Sequence, residues 1–434
     1  MQSAKFKVQN DLKEKGKQKV DLSSVGAVMT FEDLAATDLP RIFAGTELGK
    51  TLYPQGIPVG SLTLLAGEPG AGKSTLALQL ALDFARENKV IYFSAEESGS
   101  QVKEKLGRLG VPAESFLFSA EKKVETVGAT ISHHEVKVAV IDSIQTIHTE
   151  ESDSEASPPR LAFARRREAG SIQQLKICTT KLLEIAKENQ VAIIVIGHVT
   201  KEGVAAGPKT LEHLVDIVMY IEGDPDSRFR MLRSTKNRYG SSGKVSVLHM
   251  TDKGLQVVKQ AATAFVANFQ PKVGSVLTAI VDSGQVFFLE VQSLVTSSNF
   301  GYAKRTTSGF PVKRLEVLLA VMKKRLNLDF DRFDVYVNLV GGFKVSDPAM
   351  DLAVVLSLIS SLKNKVLSGS TVVFGEVGLA GELRAVKETG MRLESAAKHN
   401  YKQIILPPVS ARSASLKLQA CESLDKVMEI LGWQ

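Results

Sequence analysis

From Ser61 onward, short runs rich in Val, Ile and Leu alternate with longer amphipathic stretches. The runs SLTLLAG (61–67), KVIYFSA (89–95), VKVAVID (136–142) and VAIIVIG (191–197) hold few charges. Uninterrupted apolar runs of this length fit strands buried on both faces of a parallel sheet. Segments 74–87, 98–109 and 171–189 read as the helices between them, the crossovers that parallel strands need. Shorter strand-like pieces near 216–222, 229–235 and 244–249 predict hairpins closing one side of the sheet.

The pattern loosens between about 255 and 273, then alternates again. Strands are expected at 274–282 and 286–295, a helix near 311–326, and a strand at DVYVNLV (334–340). A helix at 347–362, a strand at 371–375 and a closing strand and helix at 403–406 and 421–431 follow. The expected division is a lysine-rich flexible arm and lead-in (1–44), an α/β core (45–257) and a second, α+β domain (258–434). No internal repeat is visible.

Composition narrows the class. With 44% hydrophobic and 23% charged residues, the 434-residue chain is neither a disordered tail nor a collagen-like rod. No run of 18 apolar residues predicts a membrane span, and the first twenty residues contain no apolar stretch of a secretory signal. Cys178 and Cys421 are the only cysteines, which points to a reducing, cytoplasmic compartment and cannot supply a four-cysteine zinc site. The net charge of +7 is unevenly placed. Lys5, Lys7, Lys13, Lys15, Lys17 and Lys19 crowd the first nineteen residues, and Arg160, Arg165, Arg166 and Arg167 crowd another stretch. Such clusters suit a polyanion, nucleic acid first, or else form a solvated tail and loop.

The segment GEPGAGKST, residues Gly67, Glu68, Pro69, Gly70, Ala71, Gly72, Lys73, Ser74 and Thr75, fits G-x-x-x-x-G-K-[ST] between a predicted strand and helix. Its glycines let successive N–H groups converge on phosphates, Lys73 sets a cation against the β- and γ-phosphates, and the Ser74 hydroxyl faces Mg²⁺. The expected ligands are therefore ATP and Mg²⁺. Hydrolysis also needs a carboxylate for the metal and one for the attacking water. Asp142, closing the strand VKVAVID, suits the first role. Glu96, just past KVIYFSA on the same sheet edge, suits the second, with Glu97 its competitor. His198 ends VAIIVIG, where a polar side chain can report on the γ-phosphate. The loop beyond it carries Lys201 and Lys209 and reads either as a nucleotide-linked polyanion contact or as a surface turn.

GEPGAGKST, YFSAEES (92–98), VIDSIQT (140–146), GHVTKEG (197–203) and STKNRYG (234–240) occur in that order and together resemble the RadA/Sms DNA-repair ATPases, relatives of RecA. EVQSLV (290–295), DVYVNLVGGFKVSDPAMDLAVVLSL (334–358) and FGEVGLAGELR (374–384) look like that family's Lon-protease-like domain. The resemblance runs from about residue 40 to the end. It implies a RecA-like P-loop ATPase core joined to a Lon-like domain in a homo-hexameric ring, with Lys73 and Ser74 on phosphate and Mg²⁺, and Glu96 and Asp142 completing the site. It also implies that Lys236 and Arg238 reach across a subunit interface to a neighbour's phosphates. Family members bind single-stranded DNA, hydrolyse ATP and drive branch migration of recombination intermediates alongside a recombinase of the RecA type.

Three departures bear on function. The family's usual N-terminal four-cysteine zinc finger has no counterpart here, so no zinc is expected. The stretch 147–170 is longer than usual and puts Arg165, Arg166 and Arg167 in a loop that RecA relatives turn toward DNA. Ala349 stands where a Lon-type serine would, and no lysine aligns near Thr389–Gly390, so the second domain reads as a scaffold rather than a peptidase. Lys304, Arg305, Lys313 and Arg314 are candidate basic surface on it. The expected activity is a DNA-dependent ATPase of recombination and repair acting on single-stranded and branched DNA; the alternative is an ATP-gated DNA-binding assembly module without motor activity.

Overall fold

A computed structural model describes residues 39–110, 115–149, 171–198, 210–223, 227–298, 303–342, 345, 347–410 and 415–433. Residues Arg41–Gln434 form one compact unit.

Its first part is built on a nine-stranded sheet. A short pair, β1 (Arg41–Ile42) and β2 (Ile57–Pro58), precedes β3 (Leu62–Gly67), β4 (Val90–Ser94), β5 (Phe116–Ser119), β6 (Val138–Asp142) and β7 (Ala192–His198). β8 (Ile217–Glu222), β9 (Phe229–Asn237), β10 (Val245–Thr251) and β11 (Gly254–Val257) complete it, in the order β11-β10-β9-β8-β3-β7-β6-β4-β5. The strands from β5 to β8 pair in parallel, and β9 to β11 add an antiparallel meander at one side. The predicted apolar runs are thus the central strands, buried along their length as both-face coverage demands.

Helices α1 (Glu47–Leu52), α2 (Lys73–Phe84), α3 (Gly99–Leu109), α4 (Val124–His133) and α5 (Ile172–Glu188) cover the two faces. One apolar cluster packs α2, through Leu76, Ala77, Leu80 and Phe84, on Leu65, Tyr92 and Val140. The opposite face sets α4 and α5, through Val127, Ile131, Leu175 and Leu182, on Leu64, Ile141 and Ile193. α3 starts with a capping box from Ser98 and Gln101, and Ser171 caps α5 through the Gln174 N–H. α1 lies just past the expected lead-in. It is pinned by Asp83 of α2, which accepts from the Gly45 and Thr46 N–H groups and from the Thr46 hydroxyl.

A turn at Ala261–Val266 leads to a seven-stranded sheet. Its strands are β12 (Ser275–Asp282), β13 (Gln285–Ser297), β14 (Arg305–Ser308), β15 (Phe333–Leu339) and β16 (Thr371–Val373). β17 (Glu376–Val377) and β18 (Leu383–Arg384) form a separate pair, and β19 (Gln403–Leu406) and β20 (Lys417–Ala420) finish the sheet. The helices are α6 (Val312–Arg325), α7 (Asp351–Lys363), α8 (Thr389–Lys398) and α9 (Leu424–Leu431). α7 is buried from Asp351 to Ser360, so it runs through the domain as a core helix. Arg314, a candidate for basic surface, instead turns inward to pair with Asp351 and the Val377 carbonyl. Arg305 likewise donates to the Phe330 and Phe333 carbonyls. Ala349 is fully buried in the turn Pro348–Met350 that opens α7.

One apolar cluster is common to both sheets: Met231, Val245 and Val247 pack with Phe265, Val276, Phe287 and Leu289. Arg233 fastens the same contact, its guanidinium meeting Asp282 at 2.5 and 2.6 Å.

Candidate active site

The phosphate loop, Gly67 to Ser74, joins the end of β3 to the start of α2. Gly67 must be glycine, since a Cβ there would fall 2.3 Å from the Ile221 carbonyl oxygen of β8. Gly72, at φ +97°, caps α2 in a left-handed conformation, and a Cβ would meet Met250 at 2.8 Å. These positions make the loop a narrow curl of backbone N–H groups at a helix N-terminus, the arrangement that binds phosphate. Glu68 is partly buried, while Pro69 and Gly70 are exposed at its tip. Lys73 is buried on the first turn of α2 and donates to the Glu68 carbonyl at 2.9 Å. Burial pulls its ammonium below the ordinary lysine value, opposed by the negative charges of Asp142 and Glu96. Ser74 and Thr75 are partly buried beside it.

The C-terminal ends of β4, β6 and β7 bring three further groups to this loop. Ligand atoms of Glu96, Asp142 and His198 all lie within 4.8 Å of one another. Asp142 is buried at the end of β6, where Tyr92 of β4 donates to its Oδ2 at 2.8 Å. Burial pushes this carboxyl above its ordinary value; Tyr92 and Ser74 oppose the rise, and Glu96 and Glu97 add to it. Glu96 is exposed at the cleft and accepts from the Ser143 hydroxyl at 2.5 Å. His198 Nε2 lies 3.6 Å from Glu96 Oε1. Glu97, the sequence neighbour of Glu96, pairs instead with Lys105 of α3.

Mg²⁺ fits this donor set. Asp142 Oδ1 is buried without a hydrogen-bond partner, an unusual cost unless something else satisfies it. Hard carboxylate and hydroxyl oxygens are the ligands a small divalent cation prefers. Asp142 and Ser74 are the residues that would hold the ion.

Lys236 and Arg238 sit elsewhere, at the far end of β9. Within the chain, the Lys236 ammonium donates to the Glu212 and Val215 carbonyls, both at 2.7 Å. Burial and the nearby Arg238 charge pull Lys236 down. Arg238 is exposed and stands 3.5 Å from buried Asp216. Arg165, Arg166, Arg167, Lys201 and Lys209 lie outside the described residues.

Several contributors were not visible as site residues in the sequence. Ser143 orients Glu96, and Tyr92 holds Asp142; both flank motif positions already singled out. Gln145 Nε2 donates to the His198 carbonyl at 3.4 Å and links β7 to the turn after β6. A cavity of about 750 Å³ lies apart from the phosphate loop, between β9 and the second sheet, lined by Met231, Arg233, Phe287, Asp347 and Arg392 among others.

Residues 32–204 match the family described as AAA domain, and residues 313–410 match the family described as subunit ChlI of Mg-chelatase. The chain is 38% identical over 375 residues to the DNA repair protein RadA of Helicobacter pylori strain 26695, covering 86% of this chain and 81% of the relative. It is 37% identical over 386 residues to the DNA repair protein RadA of Escherichia coli K12, covering 89% and 81%. Among solved structures, a KaiC-like protein from Pyrococcus horikoshii is 19% identical, spans 51% of this chain and all of its own, and superposes with a TM-score of 0.38. A RadB recombinase is 21% identical, spans 50% and 100%, and gives the same TM-score of 0.38.

Proposed function

The chain belongs to the RadA family of DNA repair proteins, and on that premise we propose that it is a DNA-dependent ATPase of recombination and repair. The observation that carries the reading is the convergence of Lys73, Ser74, Glu96, Asp142 and His198 on one sheet edge beside a phosphate-binding loop. In this reading the loop amides and Lys73 bind the β- and γ-phosphates, and the positive end of α2 adds to their field. Mg²⁺, held by Asp142 and Ser74, supplies charge neutralisation at the phosphates when bound. Glu96, set by the Ser143 hydroxyl, orients a water and takes its proton. His198, beside Glu96, senses the γ-phosphate side of the cleft and passes that state to the loop beyond β7.

The finer reading is a homo-hexameric ring, assisting a RecA-type recombinase, that drives branch migration on single-stranded and branched DNA. Lys236 and Arg238 leave their intrachain carbonyl and Asp216 partners to meet a neighbour's phosphates, so hydrolysis depends on ring geometry. Arg165, Arg166, Arg167, Lys201 and Lys209 contact DNA phosphates. The functional division follows the sequence at about residue 257, the second part acting as a ring scaffold. A buried methyl at Ala349 offers no nucleophile, which speaks against proteolysis.

The test is ATP hydrolysis with and without single-stranded DNA, at low and moderate salt, with Lys73→Ala as the inactive control. DNA stimulation that fades as salt rises is the expected result. A wild-type rate indifferent to DNA at both salts would overturn the coupling and favour an ATP-gated assembly module.

A further inference from the structure

Arg230, on β9, is buried although it carries a full charge, and none of the motifs singled out in the sequence includes it. Its Nε donates to the Ala71 carbonyl of the phosphate loop at 3.1 Å. Its Nη1 donates to the Phe229 carbonyl at 2.8 Å and to the Ser227 carbonyl. Space for it is reserved at the end of β8, where a Cβ on Gly223 would fall 2.7 Å from Arg230 Cδ. Ser227 in turn donates through its hydroxyl to the Gly341 carbonyl of the second domain at 3.3 Å.

The consequence for phosphate binding follows from peptide geometry. In a planar trans peptide the C=O and the following N–H point in opposite directions. Holding the Ala71 carbonyl outward on a guanidinium therefore turns the Gly72 N–H inward, toward the concavity of the loop. The same charge polarises that peptide and strengthens its N–H as a donor. Glycine at 72 leaves this unit conformationally free, so the orientation has to be imposed from outside the loop.

We infer that Arg230 is a positioning residue for nucleotide binding, which fixes the Ala71–Gly72 peptide in its phosphate-binding orientation and anchors the loop, by way of Ser227, on the second domain. The inference rests on the ATP-binding reading above. Arg230 acts on the bound phosphates through the loop, so its loss weakens ground-state and transition-state binding alike and leaves the chemistry of Glu96 and Lys73 intact. A merely structural arginine behaves differently. Its loss lowers the amount of active protein, so apparent kcat falls while KM stays put.

The experiment uses the full chain, wild type beside Arg230→Gln and Arg230→Lys. ADP and ATP affinities are measured with Mg²⁺ by equilibrium titration, steady-state ATP hydrolysis is recorded, and folding is monitored by thermal melting. Lysine keeps the cation but not the fork that spans the Ala71, Ser227 and Phe229 carbonyls. The expected result is a rise of roughly tenfold or more in ADP Kd and ATP KM in both variants, with kcat changed by less than about threefold. Nucleotide affinity and KM at wild-type values in either folded variant would overturn the assignment. If glutamine prevents folding, the lysine variant alone decides. A wild-type chain that binds neither nucleotide would sink the ATP-binding reading itself, before any variant is compared.

Discussion

The Tyr92 hydroxyl holds Asp142 by one oxygen, at 2.8 Å, and leaves the other carboxylate oxygen buried without a hydrogen bond. A carboxylate kept half satisfied at the end of a buried strand costs stability in the nucleotide-free chain. The free oxygen is the one a cation would take up, and a bound ion would offset that cost.

That cost has a pH signature. The folded-state pKa of Asp142 is raised, chiefly by burial, so the folded chain holds a proton that the unfolded chain has already released. Stability therefore falls as pH rises from the ordinary carboxylate value, about 4, through the raised one. Asp142→Asn removes this liability. Thermal melts of the nucleotide-free protein should place the variant above wild type at pH 7 and bring the two together below about pH 4, while ATP turnover is lost. A variant less stable than wild type at pH 7 would show that the carboxylate is paid for by contacts that asparagine cannot make.

Glu96→Gln keeps the Ser143 contact and loses the base. ATP affinity should stay within a few-fold of wild type, while turnover falls by about 10²–10⁴. Rapid hydrolysis in this variant would transfer the role to another group at the same edge, with His198 the nearest.

Arg233 and Asp282 join β9 to β12 by two parallel hydrogen bonds. Burial raises the Asp282 carboxyl, but the bonds and charge of Arg233 outweigh it and the net shift is downward. A depressed acid contributes stability above its unfolded pKa and loses it as pH falls through the folded one. Arg233→Met should therefore cost about 2 kcal/mol at pH 7 in denaturant unfolding. The gap to wild type should close as pH drops below about 4. A deficit that persists undiminished in acid would assign the loss to packing instead of the ion pair.

Replacing Arg165, Arg166 and Arg167 together with glutamine should weaken single-stranded DNA binding and flatten its salt dependence. Each lost phosphate contact lowers the slope of log affinity against log salt by about 0.7. Titrations at several salt concentrations read this directly, and an unchanged slope would leave the cluster as a solvated loop.

The parallel strands and the phosphate loop were legible because burial on both faces writes continuous Val, Ile and Leu into β3, β4, β6 and β7, and because Lys73 and Ser74 stand at fixed spacing from Gly67. The sequence favours Glu96 with Glu97 as its competitor, and what distinguishes the two in the fold is their partners, Ser143 for one and Lys105 for the other. Short elements escaped for a different reason. β5 is four half-buried residues and β14 four residues at a sheet edge, too few for a period to show. α1 had a readable N-cap in Thr46, but its partner Asp83 lies 37 residues away. Arg230 was hidden in the same way, since its importance comes from a carbonyl 159 residues distant in the chain.

β9 alternates its loyalties residue by residue. Arg230 and Leu232 face the phosphate loop and α2, whereas Phe229, Met231 and Arg233 face the seven-stranded sheet and its core. The strand therefore works as a shared wall whose two sides cannot be renovated separately. A one-residue slip would carry the Arg230 guanidinium into the apolar cluster shared with the seven-stranded sheet and a thioether to the phosphate loop. Insertions or deletions within 229–233 are consequently barred in a way that loop changes are not, and the two halves of the chain must inherit changes at this wall together.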